Sequence, residues 1–282
     1  MSPKNDSIYY IIFLSYSDEF SIHRHSGLCY NKNMTNSLLK TGERIDQLFS
    51  SPIKIIQNKA VFSFSVDSVL LSRFPNIPAK KGLIVDLCSG NGAVGLFVAS
   101  QTKAQILQVE LQERLADMNR RSIQLNELDQ QVSVIQDDLA NLTNHIGRSK
   151  VDLMLCNPPY FKVEPTSNLN ESEHYLLARH EIATNLDSIC QVAQQTLKSN
   201  GRLAMVHRPD RFFDILDTLR RYKLAPKRIQ FVYPKSGKEA NMLLIEAIKD
   251  GSVAGLKILP PLVIHQESGE YTDEIREIYY GK

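Results

Sequence analysis

Leu83-Ile84-Val85-Asp86-Leu87-Cys88-Ser89-Gly90-Asn91-Gly92 is the stretch whose reading decides the fold. A short, wholly apolar run ends in an acid, passes through two closely spaced glycines, and enters an apolar helical pattern over residues 93–100. A run of that length and composition is a buried strand, and the glycine-containing residues after it form a strand-to-helix turn. Gly90 and Gly92 remove side chains where a ligand must approach the backbone, and both can adopt positive φ. A glycine pair alone is weak evidence, since any tight turn of this kind needs glycine.

The surrounding pattern strengthens it. Strands are expected at 106–110, 132–136, 151–156 and 202–207, alternating with helices at 112–125 and 186–197, and Pro209 opens another helix. Upstream, residues 67–74 suit a helix, 54–57 a strand, and Glu43 to Leu48 a short amphipathic stretch. Residues 229–233 and 242–248 read as a final antiparallel pair. Alternating strands and helices imply a mostly parallel sheet covered on both faces, with ligands at the carboxyl ends of the strands. The fold class is therefore doubly wound α/β.

Glu110 ends the next strand, 18 residues beyond Gly92. An acid there can accept both hydrogens of a ribose diol. A dinucleotide fits poorly, because Asp86 would repel a pyrophosphate, and Gly90, Gly92 and Gly95 reach G-x-G-x-x-G spacing only when counted after the turn. The acid better suits a ligand bearing an ammonium and a sulfonium. Asp137-Asp138 follows the third strand; Asp138 is favoured for an adenine amino group, its neighbour stays open, and the bland alternative is a helix N-cap.

Asn157-Pro158-Pro159-Tyr160 ends the fourth strand of this series. Two prolines can simply stop a strand. A functional reading accounts for all four residues together. An exocyclic amine is a poor nucleophile because its lone pair is delocalised. If the Asn157 side-chain oxygen and the Pro158 carbonyl each accept one N–H, the nitrogen is drawn towards tetrahedral geometry and its lone pair is freed. The prolines stiffen that backbone, and Tyr160 offers a ring for stacking. Positioning of this kind reaches effective molarities on the order of 10⁵ M or more.

With these residues in order, the chain resembles class I S-adenosylmethionine-dependent methyltransferases. Within them it is similar to the bacterial tRNA1(Val) adenine-37 N6-methyltransferase family. The finer likeness rests on the run from Phe62-Ser63-Phe64 to Leu70-Leu71, on Ala178-Arg179-His180-Glu181 and on Val206-His207-Arg208-Pro209, and spans about residues 41 to 250. The resemblance implies a Rossmann-like, seven-stranded sheet whose last strand is antiparallel. It implies S-adenosyl-L-methionine as cofactor, with Asp86, Gly90 and Gly92 along its methionine and ribose part, Glu110 at the ribose hydroxyls and Asp138 at the adenine. Asp67 would border the methionine end. Asn157 and Pro158 would hold the target amine, and Tyr160 would stack on the base. Cys88 departs from the class pattern, which often has glycine there, and puts the backbone angles at that position in question.

The substrate expected from the resemblance is an adenine N6 in tRNA, at position 37 in the anticodon loop. Residues 202–238 hold ten Lys or Arg against three Asp, and Arg208, Arg211, Arg220, Arg221, Lys227, Arg228, Lys235 and Lys238 are candidates for a basic flank contacting phosphates. A solvated helix face is the alternative. Two other functions stay open. One is methylation of a release-factor glutamine, whose enzymes carry an all-helical N-terminal domain that the region before Phe62 does not suggest. The other is an RNA-binding protein that keeps the fold without turnover.

Composition sets the remaining bounds. The 282 residues are 43% apolar with a net charge of +2, ordinary values for a globular chain. Cys29, Cys88, Cys156 and Cys190 form no C-x-x-C pair, so no metal site is expected and a reducing compartment suits them. The apolar run at 8–14 is too short to span a bilayer and lacks the flanks of a signal peptide; a cytoplasmic monomer is the expectation. Residues 1–33 lack periodicity and read as an extension, with Met34 an alternative start. The methyltransferase domain is assigned to 34–250, and 251–282 is expected to pack on it.

Overall fold

A computed structural model describes residues 38–58, 64–158 and 186–281. The extension and start assigned at 1–33 and Met34, the Phe62-Ser63 pair, Pro159, Tyr160, the polar loop at 161–180 and His180 lie outside the described residues.

Sequence alternation becomes topology directly. The central sheet takes β3 (Leu83–Leu87), β4 (Gln105–Glu110), β5 (Val132–Gln136), β6 (Val151–Cys156), β7 (Leu197–His207), β8 (Leu224–Lys235) and β9 (Met242–Lys249) in the order β8-β9-β7-β6-β3-β4-β5. β3 to β7 are mutually parallel, whereas β9 runs antiparallel between β7 and β8. The seven-stranded expectation is met, including the reversed last strand. Two short strands, β10 (Lys257–Ile258) and β11 (Leu262–His265), extend the sheet along the free edge of β8.

Period-two alternation assigns each strand residue to one of two cores. Ile84, Ile106, Leu153, Leu155, Ala204 and Val206 face one layer. That layer is built from α1 (Val66–Arg73), α2 (Ala93–Ala99), α3 (Glu113–Leu125) and the C-terminal α7 (Asp273–Tyr280). Val85, Leu87, Leu107, Val109, Met154, Leu203 and Met205 face the other, closed by α4 (Leu142–Ile146), α5 (Leu186–Thr196) and α6 (Phe212–Arg221). Most of these side chains are fully buried, each contributing about 1.5–3 kcal/mol of transfer free energy. In the C-terminal stretch, Leu262, Ile264, Ile275 and Tyr279 join the first core. The Ser50 amide donates to the Tyr279 carbonyl at 2.9 Å.

The amphipathic stretch after Thr41 is a strand. β1 (Glu43–Gln47) pairs antiparallel with β2 (Lys54–Asn58), a hairpin whose second strand is buried on both faces, Ile55 in the first core and Ile56 against α3. Ile45 and Ile56 pack on Leu115, Met118 and Leu125 of α3. Arg121 of α3 clamps the outside of this contact, donating to Glu43 at 2.8 Å and to Asp117 at 2.7 Å. Burial alone would raise the Glu43 carboxyl, but the hydrogen bonds from Arg121 and the Lys40 amide outweigh it and hold it below its ordinary value. Arg121 and Glu43 are nearly buried, at 12% and 3% side-chain exposure, so breaking the pair strands a charge. Arg121→Met is expected to cost about 3 kcal/mol in urea unfolding at neutral pH. Because the folded Glu43 pKa is depressed, the pairing contributes fully above about pH 4.5 and is lost as pH falls through the folded value. The gap between wild type and variant should therefore close in acid.

Candidate active site

Connection order reverses beside β3. The chain leaves β3 for β4 and β5 on one side, then returns to β6 and β7 on the other. That arrangement makes the carboxyl ends of β3 and β6 the topological switch point, where doubly wound sheets bind ligands. The parallel register places Leu87 opposite Cys156. The glycine loop and Asn157-Pro158 therefore leave adjacent strands at the same level.

The loop turns through three left-handed residues: Cys88 at φ 56°, Gly90 at 57° and Gly92 at 88°. Cys88 is the departure flagged in the sequence, and a side chain at that angle costs roughly 1–2 kcal/mol relative to glycine. The Gly92 amide donates to the Ser89 carbonyl at 2.8 Å and the Ser89 amide to Val109 at 3.0 Å. Gly92 is required on a second count: a Cβ there would meet Asn119 Oδ1 at 2.3 Å. At Gly95 a Cβ would meet Gln108 Nε2 at 2.2 Å.

Asp86 lies at the centre, 1% exposed. Its Oδ2 accepts from the Gly95 amide at 2.9 Å and from Gln108 at 3.4 Å, while Gln108 also donates to the Gly92 carbonyl at 3.0 Å. Burial pushes the Asp86 carboxyl up to about 7, against the lowering effect of those donors. Glu110, 5% exposed, accepts from the Gly90 amide through Oε2 and the Gln112 amide through Oε1, both at 2.8 Å. Burial raises its pKa as well.

Asp86 Oδ1, Asn91 Oδ1, Gln108 Oε1 and Asn119 Oδ1 are buried and have no hydrogen-bond partner among the described residues. All four are acceptors, so the loop's surroundings are short of donors and of positive charge. S-adenosylmethionine would supply an ammonium, a sulfonium and ribose hydroxyls, so the residues present fit it. Asn91, Gln108 and Asn119 escaped the sequence reading, because each acts through a partner far away in the chain: Asn91 donates to the Ile56 carbonyl at 3.1 Å and Asn119 to Ser89 at 3.2 Å.

Asp138 caps a 3₁₀ turn at Leu139–Asn141, its Oδ1 accepting from the Ala140 amide at 2.9 Å. The N-cap alternative is thus realised, and Oδ2 stays outside that bond. Asp137 commits both oxygens, Oδ1 to Asn141 and the Asp138 amide and Oδ2 to His145. Asp67 pairs with Ser65 at the start of α1. Asn157 donates from Nδ2 to Ser68 Oγ at 3.2 Å, a contact that nothing local in the sequence announced.

The ten basic residues do not form one flank. β8 runs parallel to β7 with α6 descending between them, so Arg208, Arg211, Lys235 and Lys238 lie at the site end of the sheet. Arg220, Arg221, Lys223, Lys227 and Arg228 lie towards the opposite end. Several are also committed: Arg221 to Asp187 at 2.7 Å, Arg228 to the Phe74 carbonyl at 3.0 Å, and Arg211 to Asp214 at 2.7 Å.

A glycine-turn loop and a strand-end Asn-Pro pair at the switch point of this sheet define an α/β protein of the class I methyltransferase type. The family model for the methyltransferase small domain matches residues 52–222, and the chain belongs to that family. A tRNA1(Val) (adenine(37)-N6)-methyltransferase of Porphyromonas gingivalis is 26% identical over 227 residues, 78% of this chain and 88% of that one. One of Bacteroides fragilis is 25% identical, covering 79% and 92%. Among solved structures, a predicted O-methyltransferase from Agrobacterium tumefaciens superposes with a TM-score of 0.60 at 23% identity, over 77% of this chain and 96% of that one. Pyrococcus horikoshii TYW2 in complex with MeSAdo gives 0.52 at 14%, over 75% and 73%; both likenesses concern the fold.

With its pKa raised, Asp86 would bind a cation in a pH-dependent way. Below about pH 7 the folded protein holds a proton on Asp86 that a cationic ligand must displace. Calorimetric S-adenosylmethionine affinity is expected to tighten by up to about ten-fold from pH 6 to pH 7.5, and Asp86→Asn to flatten that profile. Without ligand the sign for stability is opposite. A raised folded pKa stabilises fully below about 3.8 and its contribution is lost as pH rises through about 7.

Proposed function

We propose that the protein transfers a methyl group from S-adenosyl-L-methionine to the exocyclic N6 of an adenine in tRNA, the base at position 37 of the anticodon loop being the target. One observation carries the reading: the β3–β6 register brings a donor-poor acidic loop and Asn157-Pro158 to the same end of adjacent strands. The names of the relatives supply the substrate class. The described residues before the α/β domain form a strand hairpin, which does not resemble the all-helical domain of glutamine-directed enzymes.

The bound cofactor supplies an electrophilic methyl group and leaves as the neutral thioether. The chain's own residues do the rest. Asp86, with the loop at Gly90 and Gly92, would hold the methionine and ribose end; Glu110 would take the ribose hydroxyls and Asp138 the adenine amine, with Asp67 at the border of the methionine end. Asn157 Oδ1 and the Pro158 carbonyl would accept the two N–H bonds of the target amine and direct its lone pair, and Tyr160 would stack on the base. The nitrogen becomes acidic once it carries positive charge, so no strong base is required.

An anticodon loop presents bases already unstacked, which lowers the cost of capture. Arg208, Lys235 and Lys238 at the site end supply phosphate contacts. Phe213, 79% exposed in the first turn of α6, offers a ring among them.

Two measurements test this. With labelled cofactor and tRNA lacking the modification, wild type should label adenine N6, and Asn157→Ala should lose at least about 100-fold in rate while retaining cofactor affinity. Label in a release factor alone rejects the adenine reading. Replacing Lys235 and Lys238 with Ala should weaken tRNA binding and reduce the slope of log K against log salt by about 0.7 per residue removed. The same change at Arg220 and Lys227 should leave the slope as it was; an equal loss there would show that RNA approaches from the other end.

A further inference from the structure

We propose that Cys88 and Cys156 form a redox modification site: a peroxide converts the two thiols to a disulfide that ties the glycine loop to β6 and pulls the loop out of its ligand-binding shape. The loss of binding rests on the cofactor role given to that loop above, whereas the cross-link stands apart from it.

Strand register brings the two residues together. Leu87 and Cys156 are Cα partners on adjacent parallel strands, which lie about 4.8 Å apart. Cys88 is one residue further on, so its Cα is about 6 Å from that of Cys156, inside the range of about 4.4–6.8 Å that a disulfide spans. In a continuing strand, alternation would send the side chain after Leu87 into the opposite layer. At Cys88 the backbone turns left-handed instead, with φ 56°, and the side chain packs against the core that holds Leu87 and Cys156. There the Cys88 and Cys156 thiols are hydrogen-bond partners.

The two thiols differ in access, which sets the order of events. Cys88 is half-buried and can meet a small oxidant, whereas Cys156 is fully buried and burial pushes its thiol well above the ordinary value. The Cys88 sulfur attacks one peroxide oxygen, the O–O bond breaks, and a sulfenic acid and one water form. The Cys156 sulfur then attacks the Cys88 sulfur, the S–O bond breaks, and the departing hydroxide takes the Cys156 proton as a second water. The two thiols lose two electrons and two protons, and one hydrogen peroxide becomes two waters. Closing the bond draws the sulfurs from hydrogen-bonding contact to about 2.05 Å. The loop cannot follow without loss, because the Gly90 amide is held by Glu110 at 2.8 Å and the Ser89 amide by Val109 at 3.0 Å. A shift of about 1 Å in such a preorganised site costs up to about 100-fold.

The experiment treats the full chain with hydrogen peroxide, alkylates the remaining thiols, and reads a peptide map by mass spectrometry beside calorimetric S-adenosylmethionine affinity. Wild type should give one cross-linked peptide pair joining Cys88 to Cys156. Its affinity should fall at least about ten-fold, and dithiothreitol should restore both the free thiols and the binding. Cys156→Ala should form no link, and Cys190→Ala, which removes another buried thiol of the same core, should still form it. A wild-type link through Cys29 or Cys190 in place of Cys156 overturns the proposal. So does sulfur oxidation at Cys88 with no link, or a Cys88–Cys156 link that leaves the affinity unchanged. A reduced wild type that does not bind S-adenosylmethionine defeats the cofactor role of the loop instead, and the peptide map still upholds or overturns the cross-link.

Discussion

Parallel pairing of β3 with β6 is the constraint on which the site depends. Its register, Leu87 opposite Cys156, makes two segments some seventy residues apart in the chain emerge at one level. Because side chains alternate in a strand, a slip by one residue would turn Asp86 out of its layer and exchange the core faces of Val85 and Leu87. The two cores prevent that slip: Ile84 and Leu155 belong to one, Val85, Leu87 and Met154 to the other, and all are fully buried. The order of connections then makes this pair of strands the switch point of the sheet.

At this switch point, the shape of the loop is set by polar side chains of the protein itself. Gln108 occupies the space that a side chain at Gly95 would need, and from there reaches both Asp86 and the Gly92 carbonyl. Asn119 lies against Gly92 in the same way. The glycines are thus required by close packing as well as by left-handed φ, and the acidic centre is preorganised before any ligand arrives. That preorganisation leaves Asp86 desolvated with its charge uncompensated, which raises its pKa and favours a cationic ligand.

Much of this was legible along the chain. The alternation of apolar runs and amphipathic helices marked the sheet, and Asp86, Gly90, Gly92, Glu110 and Asn157 could be picked out because each ends a strand or occupies the turn after it. The residues that escaped are those whose partners are distant: Gln108 in mid-strand, Asn119 and Ser68 on helices, and Asn91 reaching back to Ile56. The segment at Glu43 showed an amphipathic pattern too short to distinguish a strand from a helix, and only pairing with β2 settled it. The basic stretch misled by its proximity in sequence. A strand, a descending helix and a second strand carry its members to opposite ends of the sheet.

The sequence by itself determined the class of fold and marked the candidate groups of the site, because hydrophobic periodicity and turn residues act over a few neighbours and declare themselves locally. The tertiary structure alone decided which groups stand together: the register that joins Leu87 to Cys156, the buried acceptors around Asp86, and the hydroxyl of Ser68 on the Asn157 amide. These are contacts between residues far apart in the chain. They arise only when two layers of helices close over the sheet and exclude water from the polar groups between them.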